Sequence, residues 1–125
     1  MAKVFLDTNA FIDTIGKRHP IEVDAILTHT LFVSPLSIHI YLYIYKDKMT
    51  QIQTSPGWEF LSFVEFSEEI MRAAITGPTS DFEDNVQLHS AVEAECDFFL
   101  TKDEKLVTLG YFGKTQIVYE IPPKP

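Results

Sequence analysis

Cysteine is nearly absent from this chain: Cys96 stands alone, so no intrachain disulfide can form, as expected of a protein kept in a reducing compartment. Long apolar runs are missing too. The longest, Ile40 to Tyr45, is too short to span a bilayer and contains three tyrosines. The N-terminal run Val4 to Leu6 stops at Asp7, far short of the core of a secretory signal. These absences point to a soluble cytoplasmic protein with no membrane partner. Basic residues are scarce, 10 Lys and Arg against 18 acids for a net charge of −8, which argues against avid, unselective nucleic-acid binding and is equally the balance of an ordinary acidic soluble protein. Walker-type glycine loops and Gly-x-Ser-x-Gly elbows are absent, as are repeats and low-complexity blocks.

What remains is 125 residues, 46% of them hydrophobic, enough for one domain spanning 1–125 with a real core. Lys3 to Leu6 reads as a short buried strand ended by Asp7, Thr8 and Asn9. A helix is expected from Ala10 to about Gly16, with Phe11, Ile12 and Ile15 inward. Pro20 opens a second helix with Ile21, Ala25 and Ile26 as its stripe, and Leu31 to Val33 is a second strand. Ser34-Pro35 is a helix start, a capping serine before a proline at the first helical position. The following residues pull the other way: Ile38, Ile40, Leu42 and Ile44 alternate with His39, Tyr41, Tyr43 and Tyr45, a strand pattern. The cap and the length decide for helix.

Ser55-Pro56-Gly57 marks a turn, Phe60 to Phe66 a third strand, and Ser67 to Ile75 a helix. After the Gly77-Pro78 break, Ser80 and Glu83 match a capping box opening a helix to about Glu95. Phe98 to Leu100 is a fourth strand, a helical turn follows near Asp103 to Leu109, and Gln116 to Tyr119 is a fifth strand. Strands alternating with helices imply an α/β/α sandwich around a mainly parallel, five-stranded sheet.

Ligands of such sheets bind beyond the carboxyl ends of the strands. Asp7 follows strand one, and Asp103 lies just past Thr101 at the end of strand four. Asp81 and Asp84, three apart, share one helix face. Because that helix feeds strand four, the simplest expectation puts its N-terminus at the opposite end of the sheet, to be brought round by a long loop or a tilt. Each acid taken alone is explained as a helix cap or a charge at a helix N-terminus. Taken as a set they would repel one another unless a divalent cation neutralised them. All-oxygen ligands select Mg²⁺ or Mn²⁺, and two such ions can activate a water and stabilise the leaving oxygen of a phosphodiester.

Three stretches carry a resemblance. VFLDTNAFID is similar to the first strand and turn of PIN domains, SDFEDNVQLHSAVEAECDFFLTKDEKL to their aspartate-bearing helix leading to a strand ending in Thr-x-Asp, and VSPLSIH to the start of their third helix. The resemblance implies a PIN-like fold and a metal-dependent ribonuclease acting on RNA. It further implies a VapC-like toxin, silenced by an antitoxin protein and acting as a homodimer. Asp7, Asp84 and Asp103 match the family's metal-holding catalytic acids, Asp81 an additional acid of some members, and Asn9 and Thr101 polar residues that orient ligands. One position departs from the pattern. Where the family has a glutamate early in the third helix, this chain has Ile40, with His39 beside it. His39 suits Mn²⁺ better than Mg²⁺, and Asp47 lies about two turns too far along to substitute. The alternative reading is therefore a degenerate PIN domain serving as a binding or assembly module. A phosphotransfer receiver domain would need paired acids after strand one and an aspartate after strand three, where the chain has only Asp7 and Phe66-Ser67.

Overall fold

The computed structural model describes residues 1–16, 28–55 and 57–121, without the side chains of 15 and 16. The helix expected from Pro20, the histidine at 19, Pro56 of the expected turn and the proline tail lie outside the described residues.

Short strands and helices alternate along the chain. Strand β1 (Lys3–Leu6) leads into α1 (Thr8–Gly16), then β2 (Thr30–Val33) into α2 (Pro35–Ile44). After three 3₁₀ turns come β3 (Leu61–Phe63), α3 (Glu68–Thr76), α4 (Phe82–Glu93) and β4 (Phe98–Leu100). Helix α5 (Glu104–Leu109) and the strands β5 (Tyr111–Phe112) and β6 (Thr115–Val118) follow. The sheet order is β3-β2-β1-β4-β6-β5, parallel except for the β5–β6 pair. The sheet thus has six strands rather than five. The addition is the two-residue β5, which folds back on β6 through Gly113 and Lys114, with Gly113 at φ 60. A tight hairpin of this kind needs the left-handed backbone that glycine adopts freely.

Side-chain alternation along the strands divides the core in two. Val4 and Leu6 of β1 and Leu100 of β4 join Phe11, Ile12 and Tyr41 of α1 and α2 on one face. On the other, Phe5 and Phe99 stack at 5.5 Å between ring centroids and pack with Ile70, Val86, Leu88 and Leu106 of α3, α4 and α5. Residues i and i+2 share a sheet face, so every strand of this layered arrangement needs apolar residues on both sides.

Helix α2 resolves the conflict between cap and alternation. Ser34 accepts a hydrogen bond from Leu36 N at 3.1 Å, Pro35 opens the helix, and Tyr41 packs edge-on against Phe11 at 5.8 Å. Buried Ser37 and Tyr41 are four apart, as one helical face requires, so the Ile/Tyr alternation is coincidental. At α4 the cap is Asp81 rather than Ser80: its Oδ1 accepts from Asp84 N at 2.9 Å. The preceding turn is held instead by Asn85, whose Oδ1 accepts from Thr79 N at 2.9 Å and from its hydroxyl at 2.6 Å.

Candidate functional site

Strand order reverses between β1 and β4, the point at which parallel sheets open a crevice at their carboxyl edge. Leu6 pairs with Leu100 there, and Asp7 N donates to Leu100 O at 3.2 Å. The next residues on either side, Asp7 and Thr101, are 7% and 0% exposed. Thr101 ties the two strand ends together. Its Oγ1 accepts from Asp103 N at 3.0 Å, and its hydroxyl serves the Asp7 carboxylate as a donor. Asp7 Oδ1 also accepts from Ala10 N at 2.8 Å, and Asp103 Oδ1 from Lys105 N at 2.9 Å. Both aspartates therefore cap helices, α1 and α5.

The start of α4 arrives at the same edge, against the expectation that it would lie at the opposite one. A helix running back antiparallel to the strands begins where they end, so no long loop or tilt is needed. The contact is explicit: buried Gln87 of α4 donates from Nε2 to Thr8 Oγ1, beside Asp7, at 3.0 Å. Asp84 sits one turn earlier on that helix, in electrostatic reach of Asp81, Asp103, Glu83 and Asp7.

The electrostatics are those of a crowded acidic crevice. Burial, then the charges of Asp81, Asp103, Glu83 and Asp7, push the Asp84 carboxyl up to about 6. Asp7 is also raised. Burial outweighs the hydrogen bonds from Thr101 and Ala10 that favour its charged form, and Asp103 and Asp13 add repulsion. Among the described residues no Lys, Arg or His forms an ion pair with Asp7, Asp81, Asp84 or Asp103; the salt bridge found there joins Arg72 to Glu68 on the exposed side of α3. The nearest cations in sequence are exposed: Lys102 lies over the Tyr119 ring at 4.7 Å, and Lys105 is in the first turn of α5.

Among the described residues, no three His, Cys, Asp or Glu side chains converge closely enough as placed to hold a metal ion. The donor chemistry is of the kind a hard divalent cation takes: the candidate ligand atoms of Asp7, Asp81, Asp84 and Asp103 are all carboxylate oxygens. On the same helix as Asp84, the amide oxygen of buried Gln87, Oε1, has no hydrogen-bond partner among the described residues.

The remaining positions singled out from sequence are placed as follows. Asn9 is exposed in the first turn of α1. Ile40 is half-buried, belongs to neither core cluster, and follows Ser37 by three residues. Ser37 Oγ lies 2.9 Å from Thr8 Oγ1, so that side of α2 borders the crevice. His39 is exposed, stacks on Tyr43 at 6.4 Å and lines an apolar groove of about 700 Å³ with Leu42, Trp58 and Phe63. His29 and His89, given no role from sequence, bond to backbone: Ala2 N donates to His29 Nδ1 at 3.3 Å, and His89 Nε2 is 2.9 Å from Gly77 O. Sequence reasoning missed buried Asp13 and the buried chain Gln87–Thr8–Ser37. The available signal was Gln87 itself, three and four residues after Asp84 and Glu83 and flanked by apolar Val86 and Leu88.

No family model matches the chain. No curated protein matches it significantly. Among solved structures, it resembles a chain from the crystal structure of VapBC2 from Rickettsia felis bound to a DNA fragment from their promoter. The TM-score is 0.63 at 14% identity, over 93% of this chain and 97% of that one. At that identity the likeness establishes a shared fold. Among the described residues, no helix is long and apolar enough to cross a membrane.

Proposed function

We propose that this chain is a Mg²⁺- or Mn²⁺-dependent endoribonuclease of PIN type, the toxin of a toxin–antitoxin pair, working in the cytoplasm. One observation carries the reading: β1, α4 and β4 deliver Asp7, Asp84 and Asp103 to the switch point of the sheet, with no cation among the described residues paired to them. The shared fold with a chain of a VapBC2 structure supports the toxin–antitoxin half.

A divalent ion in such a crevice supplies activation of water and charge stabilisation for phosphodiester cleavage. The chain's own residues do the rest. Asp7, Asp84 and Asp103 would hold the ion, with Asp81 assisting from the cap of α4. Thr101 ties the Asp7 carboxylate to the backbone N–H of Asp103. Lys102 and Lys105 flank Asp103 and meet substrate phosphate, giving RNA affinity that is local rather than spread over an acidic surface. The apolar groove along α2, with Tyr43 70% exposed in its lining, suits a protein partner, either the antitoxin or a second copy in a homodimer.

The alternative, a binding or assembly module that has lost catalysis, is favoured by one position: the side of α2 bordering the crevice carries Ile40 and no acid. Single-stranded RNA incubated with the protein and Mn²⁺ separates the two readings. Cleavage by the wild type, lost in Asp7→Asn, is expected. The asparagine keeps the Oδ1 that caps α1, so its loss of activity is not a loss of fold. RNA left intact by a folded, Mn²⁺-bound wild type would leave the module reading standing.

A further inference from the structure

We infer that Tyr119 and Lys102 form a nucleotide subsite at the carboxyl edge of the sheet. The Tyr119 ring stacks on one unpaired base of the RNA, and Lys102 meets the phosphate next to it. The inference deepens the ribonuclease reading above, rests on it, and makes the substrate single-stranded.

Strand register puts the two residues together. β4 and β6 run parallel with Leu100 opposite Val118, and Thr101 N donates to Val118 O at 3.0 Å. Lys102 and Tyr119 lie just past those strand ends, so both stand at the carboxyl edge. Asp7 ends β1, two strands over in the order β1-β4-β6, which is about 10 Å at the usual strand spacing. A short stretch of single strand spans that distance.

Two observations single the pair out. Lys102 Nζ lies over the Tyr119 ring, 4.7 Å from its centroid, across the gap between the two strand ends. It takes the ring although Asp103 and Glu104 follow it directly, and among the described residues it makes no ion pair. A cation that no carboxylate neutralises keeps its charge for an incoming anion. The ring also restrains a long stem that would otherwise lose rotamer freedom on meeting phosphate. The second observation is exposure. Tyr119 leaves 52% of its surface to solvent with Lys102 already over it, so the ring has area left for a flat partner. Single strands are held in this way, with bases stacked on aromatic rings irrespective of sequence while cations follow the backbone. Bases in a duplex are already stacked on their neighbours and offer no free face. Tyr111 is the comparison within the chain. It is 59% exposed, but it pairs with Gln116 nearer the amino end of β6, and no cation lies over it among the described residues.

Binding of a fluorescent oligouridylate to the full chain is read by anisotropy in chelator, beside a duplex of the same length. Tyr119→Leu should weaken single-strand binding about tenfold and leave duplex binding unchanged. Tyr119→Phe, which keeps the ring, and Tyr111→Leu should both bind as the wild type does. An oligomer carrying iodouridine, irradiated with the wild type in Mn²⁺, should crosslink to Tyr119, which reads the contact without any substitution. The inference is overturned if Tyr119→Leu binds single strand as the wild type does, or if Tyr111→Leu loses as much. It is overturned equally if single strand and duplex weaken alike, the sign of a ring that only holds the lysine, or if the crosslink forms only elsewhere. The ribonuclease reading survives each of those results. A wild type that neither binds nor cleaves single-stranded RNA with Mn²⁺ present removes that reading, and this inference with it.

Discussion

Asp84→Asn should stabilise the metal-free protein at neutral pH and leave it unchanged in acid. In the fold this carboxyl titrates at about 6 against an ordinary 3.8, raised by burial and by four neighbouring acids. Below the lower value it is protonated in both folded and unfolded chains and contributes nothing. Between the two values the folded chain binds more protons than the unfolded one, so stability falls as pH rises. Above about 6 the penalty is complete and constant. Two pKa units are nominally about 3 kcal/mol, but Asp84 is only half-buried, and solvent screening reduces this to about 1 kcal/mol. Asparagine gives up a favourable charge at the start of α4, about 0.3 kcal/mol or more. It keeps the backbone N–H that Asp81 accepts. The net gain at pH 8 is then several tenths of a kcal/mol, or about 2–4 °C in Tm for a chain of this size. The measurement is a pair of denaturation series, wild type and variant, in chelator from pH 3.5 to 8. Curves that stay parallel across that range would refute the repulsion. A variant less stable by about 2 kcal/mol at every pH would mark Asp84 as a structural cap instead.

Millimolar Mn²⁺ should raise the melting temperature of the wild type, by about 2.7 kcal/mol of stabilisation at a hundredfold excess over Kd. Asp7→Asn or Asp103→Asn should abolish the rise; a wild-type melt unmoved by Mn²⁺ would remove the site. Replacing Lys102 and Lys105 together with alanine should weaken RNA binding and flatten its salt dependence by about 1.4 in the log–log slope, two single-strand phosphate contacts. An unchanged slope would move the RNA path elsewhere. Ile40→Glu should tighten Mn²⁺ binding and raise cleavage, whereas His39→Glu, roughly 100° round the helix, should not. A gain in the histidine variant alone would place the register one residue off.

Much of this fold is legible in the sequence because its signals are local. Ser34-Pro35 starts α2 whatever the tyrosines downstream suggest, since a capped turn competes against a strand that would have no neighbour to pair with. Strand four is read to the residue because Phe98-Phe99-Leu100 is bounded by polar chain on both sides. The hairpin strand β5 escapes because two residues carry no periodicity; only Gly113 signalled it. The direction of α4 was misjudged by reasoning about what the helix feeds rather than how it runs. The approach of Asp84 to Asp7 and Asp103 is a consequence of the antiparallel crossover and is legible in the order of the elements alone. Gln87 is not legible in that way. A lone glutamine in a helix reads as solvent-facing, and only the packing of α4 on both sides shows that it is buried.

The cap and ligand readings of these acids do not compete. An ionised carboxylate offers about four lone-pair directions, and a helix cap uses one. Asp7, Asp81 and Asp103 each give an oxygen to a helix N-terminus and retain capacity on the other. Capping in fact serves a metal site, because it fixes a rotamer that a free aspartate would have to be ordered into. The acid that decides between structure and function is therefore the one that caps nothing. Asp84 is half-buried and repelled by its neighbours, and no side-chain hydrogen bond to it is found among the described residues. Its charged form gains only the small helix-terminus term from the fold that places it there, less than burial and repulsion cost it. On the proposed metal-dependent reading a cation offsets that cost, and that makes the pH dependence of Asp84→Asn the discriminating measurement: the penalty seen in chelator should vanish in saturating Mn²⁺, reversing the order of stability of variant and wild type. Should the variant remain the more stable protein with Mn²⁺ present, the acids at this sheet edge have no cation in common.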